Sequence, residues 1–583
     1  MRDDRTTLRV WAPAAKRVDV VVAGRRRSME PASDGWWSAE PPEALPGADY
    51  AFVLDDGEPL PDPRSPSQPA GVHAPSRLVD HDAFDWTDAG WQAPPLASAV
   101  IYELHVGTFT SEGTFDSAIE RLDLLADLGV THVELMPVQE FDGTRGWGYD
   151  GVDLFAPHHA YGGPDGLKRL VDACHARGLA ALLDVVYNHL GPAGNYLAKF
   201  GPYFTDRYAT PWGPAVNLDG PGSDEVRRFL CDNACAWLRD YHFDGLRVDA
   251  VHALHDASAV NFLEQLACEV DRLEAALGRH LVLIAESDLN DPRVVRSRES
   301  GGHGFDAQWS DDFHHALHSC LTGERSGYYE DFGALADVAK SLRDVFVYDG
   351  RRSEHRRRRH GRPVGGLPRG RFLGYLQNHD QIGNRARGER SAHLMSLGRL
   401  KVAAALVLTA PFVPMLFQGE EWGASSPFPY FCDFDDPDLA RAVREGRRSE
   451  FAAFGWDPSE IPDPLAEDTF ATAKLVWEER ERAPHAELLD WHRKLIRLRR
   501  EHPDLRDDRP AAGAVRHDEE RCWLVATRGD LTVACNLAIG AQDLALDGAG
   551  QRVLLASHPD VGLGSDRVHL PSDSVAILAR EHL

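Results

Sequence analysis

The 583-residue sequence lacks the cysteine spacing of a disulfide framework or a zinc site. None of its eight cysteines forms a CxxC pair, and Cys231 and Cys235, the nearest two, fall in a segment that predicts one helix. Free cysteines are most often small buried hydrophobic residues. This usage is typical of a reducing compartment, and we expect a cytoplasmic protein.

Long apolar runs are also missing. A membrane-spanning helix needs about 18 or more consecutive apolar residues, and no such stretch occurs. The first residues, Met1 to Leu8, are mostly charged or polar and do not resemble the apolar core of a signal peptide. We therefore expect neither export nor membrane anchoring.

Basic residues are scarce. Lys and Arg total 63 against 91 Asp and Glu, which gives a formal net charge of -28. Because a phosphate-binding surface needs an excess of basic residues, this balance argues against a nucleic-acid or anionic-membrane partner and favours a neutral substrate. In so acidic a chain, the one basic run, Arg351–Arg362, predicts a solvated loop on the rim of the fold.

Motifs for metal and nucleotide binding are absent as well. The acidic segment Asp433–Asp438 lacks the glycine and the distal glutamate of an EF-hand loop, and it predicts a solvated rim loop. No GxxxxGK[ST] sequence is present, which argues against a bound nucleotide. We expect no metal site and no cofactor.

Strand patterns predict a small β-domain at each end of the chain. Over residues 1–96, short apolar alternations broken by Gly and Pro predict an immunoglobulin-like β-sandwich. Its proline-rich segment 59–75 is either a stiff linker or a packed irregular crossing, because so many prolines exclude a helix or a central strand. Residues 504–583 return to short strands and predict a small C-terminal β-domain.

Between them, over residues 97–503, an apolar strand followed by an amphipathic helix repeats. This order predicts a parallel sheet, and eight such units closed on themselves make a (β/α)8 TIM barrel. The active site of such a barrel lies at the carboxyl ends of its strands. The eight predicted strands begin near Ile101, Thr131, Ala180, Gly245, Leu281, Phe305, Phe372 and Phe412.

Acidic side chains follow three of these strands: Asp249 after the fourth, Glu286 after the fifth and Asp380 after the seventh. A retaining glycosidase needs an ionised carboxylate as nucleophile and a protonated carboxyl as acid, about 5 Å apart. Arg247, two residues before Asp249, would keep that carboxylate ionised. Each acid alone is more often an ion-pair or capping residue, and the Arg247–Asp249 pair alone could be structural, but their joint placement predicts a glycosidase.

The strand-end segments resemble the four signature regions of the α-amylase superfamily of glycoside hydrolases. The resemblance covers almost the whole chain and includes Asp184–His189 after the third strand. It implies Asp249 as nucleophile, Glu286 as general acid/base and Asp380 as transition-state stabiliser. It also implies a sugar site lined by His189, Arg247, His252, His379, Gln381 and Asn384, with Tyr149 either stacked under the sugar or packed in the core.

Longer motifs resemble the trehalose-releasing family within that superfamily. They are Tyr102–Thr110, Ala285–Arg293 and Gln377–Asn384. The segment 307–315 also matches, and it implies Asp311, Asp312 and His314 as contacts near the cleaved bond; the alternative is a helix N-terminus with acids in its first turn.

This family resemblance implies hydrolysis of the α-1,4 bond beside the terminal trehalose of maltooligosyltrehalose, with retained configuration. Two other functions stay open: a glucan branching enzyme, which uses the same covalent intermediate, and a catalytically inactive glucan-binding protein, which should lack one of the acids. The N-terminal β-sandwich could contact glucan through Trp36 and Trp37, which could equally be core residues. The sequence does not predict chain-length preference or oligomeric state.

Overall fold

Eight parallel strands close into a barrel at the centre of the protein. The structure is a computed structural model that describes residues 6–452, 456, 461–506, 513–548 and 550–580, without the side chains of 450–452. Each strand pairs in parallel with the next, and the eighth returns to the first, so the predicted TIM barrel is confirmed. The barrel strands, β1 to β8, are Ile101–Leu104, His132–Leu135, Ala180–Val185, Gly245–Val248, Val282–Ala285, Ala307–Trp309, Phe372–Gly374 and Val413–Phe417.

Every residue of these eight strands is buried, which explains why they read as short apolar runs. The helical segment after β1 is interrupted at Glu120 and Arg121, where backbone bonds span three residues, from Arg121 N to Ala118 O and from Leu124 N to Arg121 O. The longer helices are Phe115–Ile119, Leu122–Leu128, Gly163–His175, Ser223–Asp240, Phe262–Leu277, Asp311–Thr322, Leu335–Asp344, Leu397–Thr409, Pro437–Ala452, Glu467–Thr472 and His485–Glu501.

Two antiparallel sheets form the N-terminal domain, as predicted. One orders Leu8–Trp11, Trp36–Ala39 and Glu30–Pro31; the other orders Arg25–Ser28, Val18–Val22, Asp49–Leu54 and Pro59–Leu60, with Ser76–Arg77 also on Asp49–Leu54. The proline-rich segment is a packed crossing, because Ser65, Ser67 and Gln68 within it are buried.

The two tryptophans of the N-terminal domain are occupied within the protein. Trp36 donates from Nε1 to Glu225 on helix Ser223–Asp240, and the guanidinium groups of Arg9 and Arg64 lie 5.0 and 5.6 Å from its ring. Trp37 donates from Nε1 to the Ala12 carbonyl. Both rings are half-buried. They therefore join the domain to itself and to the barrel, and contact between this domain and glucan stays a prediction.

The C-terminal domain also consists of two antiparallel sheets. Its five-stranded sheet orders Val515–Asp518, Trp523–Arg528, Leu531–Asn536, Ser574–Arg580 and Gln551–Ala556, and its three-stranded sheet orders Gln542–Ala545, Arg567–Leu570 and Gly562–Leu563. The predicted boundary at 503/504 falls inside the short helix Pro503–Arg506, and the predicted domain ends, 1–5 and 581–583, lie outside the described residues. Among the described helices, none combines the length and apolarity that crossing a bilayer requires.

Two segments expected as loops contain regular structure. The basic run is not a simple solvated loop: Asp349–Ser353 and Arg358–Gly361 pair as an antiparallel hairpin, with Ser353 and His360 buried. Ser353 and His360 point inward, whereas Arg357, Arg358 and Arg359 between them are exposed. The long loop after β3 holds a second hairpin, Phe204–Thr210 with Gly213–Val216, and the short helix Leu197–Phe200.

A buried histidine ties the segment before the barrel to the barrel base. His175 bonds to Asp88 through Nδ1 at 2.9 Å and to Asp244 through Nε2 at 3.0 Å, and Trp91 stacks on its ring at 4.7 Å. Burial lowers the pKa of His175, but the bonds to Asp244 and Asp88 outweigh it, so this pKa lies above its ordinary value. The protonated imidazole therefore bridges two carboxylates.

Replacing His175 with Gln should lower the free energy of unfolding by about 3 kcal/mol at pH 6, because it removes the cation shared by two buried carboxylates and leaves only Asp88 with a second histidine, His242. The raised pKa means that the stabilisation is fully present below about pH 6.5 and is lost as pH rises through the folded-state pKa. Urea denaturation at pH 6 and pH 9 checks this. Arg169→Gln, in the exposed pair with Asp116, should change stability by less than about 1 kcal/mol at both; a His175→Gln penalty that is equal at pH 6 and pH 9 would contradict the bridge.

Candidate active site

Asp249 and Glu286 lie side by side at the carboxyl end of the barrel. They directly follow β4 and β5, whose last residues, Val248 and Ala285, are paired in register. Both acids contact one guanidinium: Arg247 Nη1 lies 2.7 Å from Asp249 Oδ1, and Nη2 lies 2.9 Å from Glu286 Oε2. The two carboxyl groups therefore face one cavity, as the nucleophile and acid of a glycosidase must.

Arg247 is fully buried and is held from two further sides. Its Nη1 also lies 2.8 Å from both carboxylate oxygens of Asp184, at the end of β3. Its guanidinium lies 4.2 Å from the centre of the Trp309 ring, on β6. A cation fixed between strands β3 to β6 holds the carboxylates that surround it in position.

The surroundings separate the pKa values of the two acids. Burial would raise the pKa of Asp249, but Arg247, His189 and a 2.6 Å hydrogen bond from Asn188 outweigh it and hold the pKa below its ordinary value. Burial raises the pKa of Glu286 well above its ordinary value against the attraction of Arg247, and repulsion from Asp249 adds to the rise. An ionised Asp249 suits a nucleophile, and a protonated Glu286 suits a general acid.

Strained backbone between the two acids directs a donor at Glu286. Ala250 has φ of +39°, a region that residues with a Cβ rarely adopt. Its backbone N–H donates to Glu286 Oε2 at 2.8 Å. Strain of this kind costs about 1–3 kcal/mol and is found where the surrounding structure requires it, often at active sites. Here it orients one oxygen of the predicted acid.

Asp380 enters the same cavity from the end of β7. It lies in the short helix His379–Gly383, which Asn378 caps by accepting hydrogen bonds from the backbone N–H of Asp380 and Gln381. Its side chain is 40% exposed, the most open of the three predicted catalytic acids. Its role as transition-state stabiliser stays a prediction. Gln381 accepts from Asn378 N and acts as a capping residue of this helix.

Tyr149 and two histidines line the wall opposite Glu286. The Tyr149 hydroxyl lies 2.6 Å from Asp184 and 2.7 Å from His379 Nε2, and its ring stacks on His379 at 5.2 Å. His189 contacts the Tyr149 carbonyl through Nε2 at 3.1 Å and stacks on Trp212. Trp212 is half-exposed and is not singled out by the sequence, because it lies in the hairpin that follows β3, away from any strand end.

Asp311 and His252 complete the rim near Glu286. Asp311 accepts from the Tyr375 hydroxyl at 2.5 Å, and burial with repulsion from neighbouring acids raises its pKa to about 7. His252 lies beside Asp288; burial raises the pKa of Asp288, but attraction to His252 and Arg356 outweighs it and holds that pKa low. Asp288, two residues after Glu286, was not predicted, although its position after β5 follows the same strand-end rule.

Asp312 and His314 do not reach the cavity, which corrects the expectation for them. Asp312 is buried and accepts from the backbone of Val347 and Tyr348 at 2.7 Å. His314 is wholly buried, with Nδ1 on the Leu376 carbonyl and Nε2 on the Tyr329 hydroxyl. Asp312 follows Asp311 in helix Asp311–Thr322 and its side chain is turned by about 100° from that of Asp311. His314 lies one helical turn after Asp311, on the same face, but both of its ring nitrogens are occupied within the protein. Asn384 is half-buried and accepts from Arg447.

One cluster among the described residues has the donor set of a metal site, and it lies outside this cavity. Glu140, His158 and His159 bring one ligand atom each within 4.8 Å of one another. The Glu140 oxygens already accept from the ring and backbone nitrogens of His159, at 2.6 and 2.7 Å. These contacts make a hydrogen-bonded ion pair between Glu140 and His159, before the segment that bears Tyr149.

Similarity to known proteins agrees with this geometry. The model "Alpha amylase, catalytic domain" matches residues 75–208, and a domain of unknown function, DUF3459, matches residues 509–577. The chain is 51% identical to malto-oligosyltrehalose trehalohydrolase of Arthrobacter ramosus, over 98% of this chain and 99% of that protein, and 49% identical to that of Rhizobium sp. (strain M-11), over 98% and 97%. The chain belongs to the malto-oligosyltrehalose trehalohydrolase family. The resemblance to the α-amylase superfamily is thereby confirmed.

Solved structures show the same fold beyond this trehalohydrolase family. A putative alpha amylase from Salmonella typhimurium superposes with a TM-score of 0.91 at 38% identity, covering 99% of this chain and 98% of that one. A pullulanase complexed with maltotetraose, from Anoxybacillus sp. LM18-11, gives a TM-score of 0.74 at 18% identity, covering 100% and 87%. The second likeness concerns the fold alone.

Asp249→Asn should reduce turnover of an α-glucan substrate by at least about 10³-fold, because the amide cannot form the glycosyl ester. Glu286→Gln should reduce it by about 10²–10⁴-fold, because the amide has no proton to give. Steady-state kinetics check both, and Asp312→Asn, outside the cavity, serves as the control. Wild-type rates in either acid variant would contradict the assignment.

The pH profile of kcat/KM should be bell-shaped. Activity falls on the acid side as Asp249 takes up a proton, and the lowered pKa places this limb below the ordinary aspartate range. It falls on the alkaline side as Glu286 loses its proton, and the raised pKa places that limb well above the ordinary glutamate range. Initial rates from pH 3 to 10 check this, and the residual rate of Glu286→Gln should lack the limb that Glu286 causes.

Proposed function

We propose that this enzyme hydrolyses the α-1,4 bond joining a maltooligosaccharide to its terminal trehalose, and so releases trehalose. The observation that supports glycoside cleavage is the pair Asp249 and Glu286, held on one guanidinium with pKa values shifted in opposite directions. The support for this substrate is similarity over 98% of the chain to proteins named for it.

The reaction is a double displacement. In the first step Asp249 attacks the anomeric carbon, the bond to the trehalose oxygen breaks, and the proton of Glu286 passes to that oxygen. In the second step the Glu286 carboxylate takes a proton from water, the water oxygen bonds to the anomeric carbon, and Asp249 leaves. Two inversions at one carbon retain its configuration.

The lining residues support the binding of a neutral sugar. Tyr149 and Trp212 offer ring faces beside the acids, and apolar sugar faces pack against such rings. At the rim, His252 Nδ1 makes no hydrogen bond within the protein and fits a sugar hydroxyl group. Asp311, Asp380 and Asp288 add negative charge, which is compatible with a neutral glucan and unfavourable for an anionic ligand.

A branching enzyme is the second candidate, favoured by one observation. The chain is 32% identical over 358 residues to 1,4-alpha-glucan branching enzyme GlgB 2 of Xanthomonas campestris, which covers 53% of this chain. Both reactions form the same glycosyl ester, and they differ in whether water or a sugar hydroxyl attacks it. An inactive glucan-binding protein is disfavoured, because Arg247, Asp249, Glu286 and Asp380 are all present in one cavity.

Product analysis separates these candidates. We expect incubation with maltooligosyltrehalose to yield free trehalose. Incubation with amylose should leave its iodine colour, which reports branching, unchanged. Asp249→Ala, run in parallel, should release no trehalose while still binding the oligosaccharide. New α-1,6 branches from amylose without trehalose release would favour the branching reaction and overturn the proposal.

We also propose a cytoplasmic location. All eight cysteines lie within the described residues and are free thiols, four of them buried. Unpaired cysteines are typical of proteins in a reducing compartment.

A further inference from the structure

Glu103 lies beneath the active site and is directed at one partner. It is the third residue of β1, is only 1% exposed, and was not singled out as a site residue. Its Oε1 accepts from the imidazole Nδ1 of His379 in a short bond, and its Oε2 accepts from the His379 backbone N–H at 3.2 Å. A buried carboxylate with both oxygens on one residue fixes that residue in position and charge.

A continuous series of contacts leads from this pair to the predicted nucleophile. His379 Nε2 lies 2.7 Å from the Tyr149 hydroxyl, and that hydroxyl lies 2.6 Å from Asp184 Oδ2. Asp184 in turn accepts from Arg247, which holds Asp249. The series joins residues after β1, β3, β4 and β7 into one network.

The Tyr149 hydroxyl has a single proton, so its direction depends on His379. If both ring nitrogens of His379 carry protons, Nε2 donates to the Tyr149 oxygen and the hydroxyl donates to Asp184. If His379 is neutral with its proton on Nδ1, Nε2 becomes an acceptor, the hydroxyl turns toward it, and Asp184 loses a donor. The charge on His379 therefore sets the hydrogen bonding of the carboxylate that anchors Arg247.

We propose that Glu103 is a positioning residue that keeps His379 doubly protonated and so directs the hydrogen bonds from Tyr149 to Asp184 and on to the nucleophile. The proposal rests on the proposed function only for its kinetic consequence. Glu103 contacts neither the cavity nor Asp249, and it acts through His379.

The groups that face His379 from every neighbouring element are consistent with this charge. Burial lowers the pKa of His379, but Glu103 and then Asp380 outweigh it and raise the pKa to about 9, against Arg247. Burial raises the pKa of Glu134 on β2 well above its ordinary value, which favours its neutral form, and burial lowers the pKa of His105 to about 3, so it adds no cation at neutral pH. The remaining neighbours are Asp184, Tyr149, Trp147 and Trp309.

Direct titration of His379 tests the proposal without any substrate. In wild-type protein labelled with ¹³C-histidine, the His379 resonance, assigned by its loss in His379→Gln, should stay in the protonated form through pH 8. In Glu103→Gln its midpoint should fall by at least about one pH unit, because the opposite charge is gone. A wild-type midpoint near 6.5, or an unchanged midpoint in Glu103→Gln, overturns the proposal.

Glu134→Gln is the matched control. Glu134 is paired in register with Glu103 on the adjacent strand and is equally buried, but neither of its oxygens makes a hydrogen bond and burial raises its pKa well above its ordinary value. The amide therefore removes no bond to His379. We expect it to leave the His379 midpoint in place. An equal shift in both variants would mean that any change in this layer perturbs His379, and it would overturn the specific role of Glu103.

The kinetic readout is a loss that depends on pH. In Glu103→Gln, kcat/KM for maltooligosyltrehalose relative to wild type should fall at least about twofold further at pH 8 than at pH 6, because about half or more of His379 is then neutral at the higher pH and little of it at the lower. Glu103→Asp, which restores the charge, should recover part of this difference. A loss that is equal at both pH values indicates a structural role and overturns the proposal. If the wild type releases no trehalose, the proposed function fails, and the histidine titration still decides the role of Glu103.

Discussion

The active site depends on one buried cation. Arg247 is removed from water altogether, and such burial costs several kcal/mol unless anions and hydrogen bonds compensate it. Asp184, Asp249 and Glu286 supply that compensation from three neighbouring strands. The same contacts place the two predicted catalytic carboxyl groups. One arrangement therefore both neutralises the arginine and sets the geometry that catalysis needs.

Two chemically similar carboxyl groups acquire different protonation states from this arrangement. Asp249 accepts hydrogen bonds from Arg247 and Asn188, which favour its ionised form, whereas Glu286 faces Asp249, Asp380 and Asp311. The difference arises from which groups lie around each acid and not from distance to the cation, since both contact it. Removing negative charge from the rim would therefore affect the acid more than the nucleophile.

The barrel and the placement of Asp249, Glu286 and Asp380 at the ends of its strands could be predicted from the sequence, because both depend on local patterns. Buried parallel strands read as short apolar runs, and strand ends mark the polar residues that enter a barrel cavity. The partners of those acids could not be predicted in the same way. Glu103 meets His379 across 276 residues, and no spacing signals that contact. Asp312 and His314 were misplaced because the direction of a helical side chain depends on where the helix begins.

The basic run Arg351–Arg362 shows that local structure cannot be predicted from composition alone. Its arginines suggest a solvated loop, but the hairpin of Asp349–Ser353 and Arg358–Gly361 is fastened to the segment after β5. Arg356 pairs with Asp288 at 3.0 Å, and His360 bonds to the Asp288 carbonyl at 2.6 Å. Asp288 follows the catalytic glutamate by two residues. Most surface turns tolerate gain or loss of residues over evolution. The turn of this hairpin is constrained in length, since any insertion would pull on the peptide that carries Glu286.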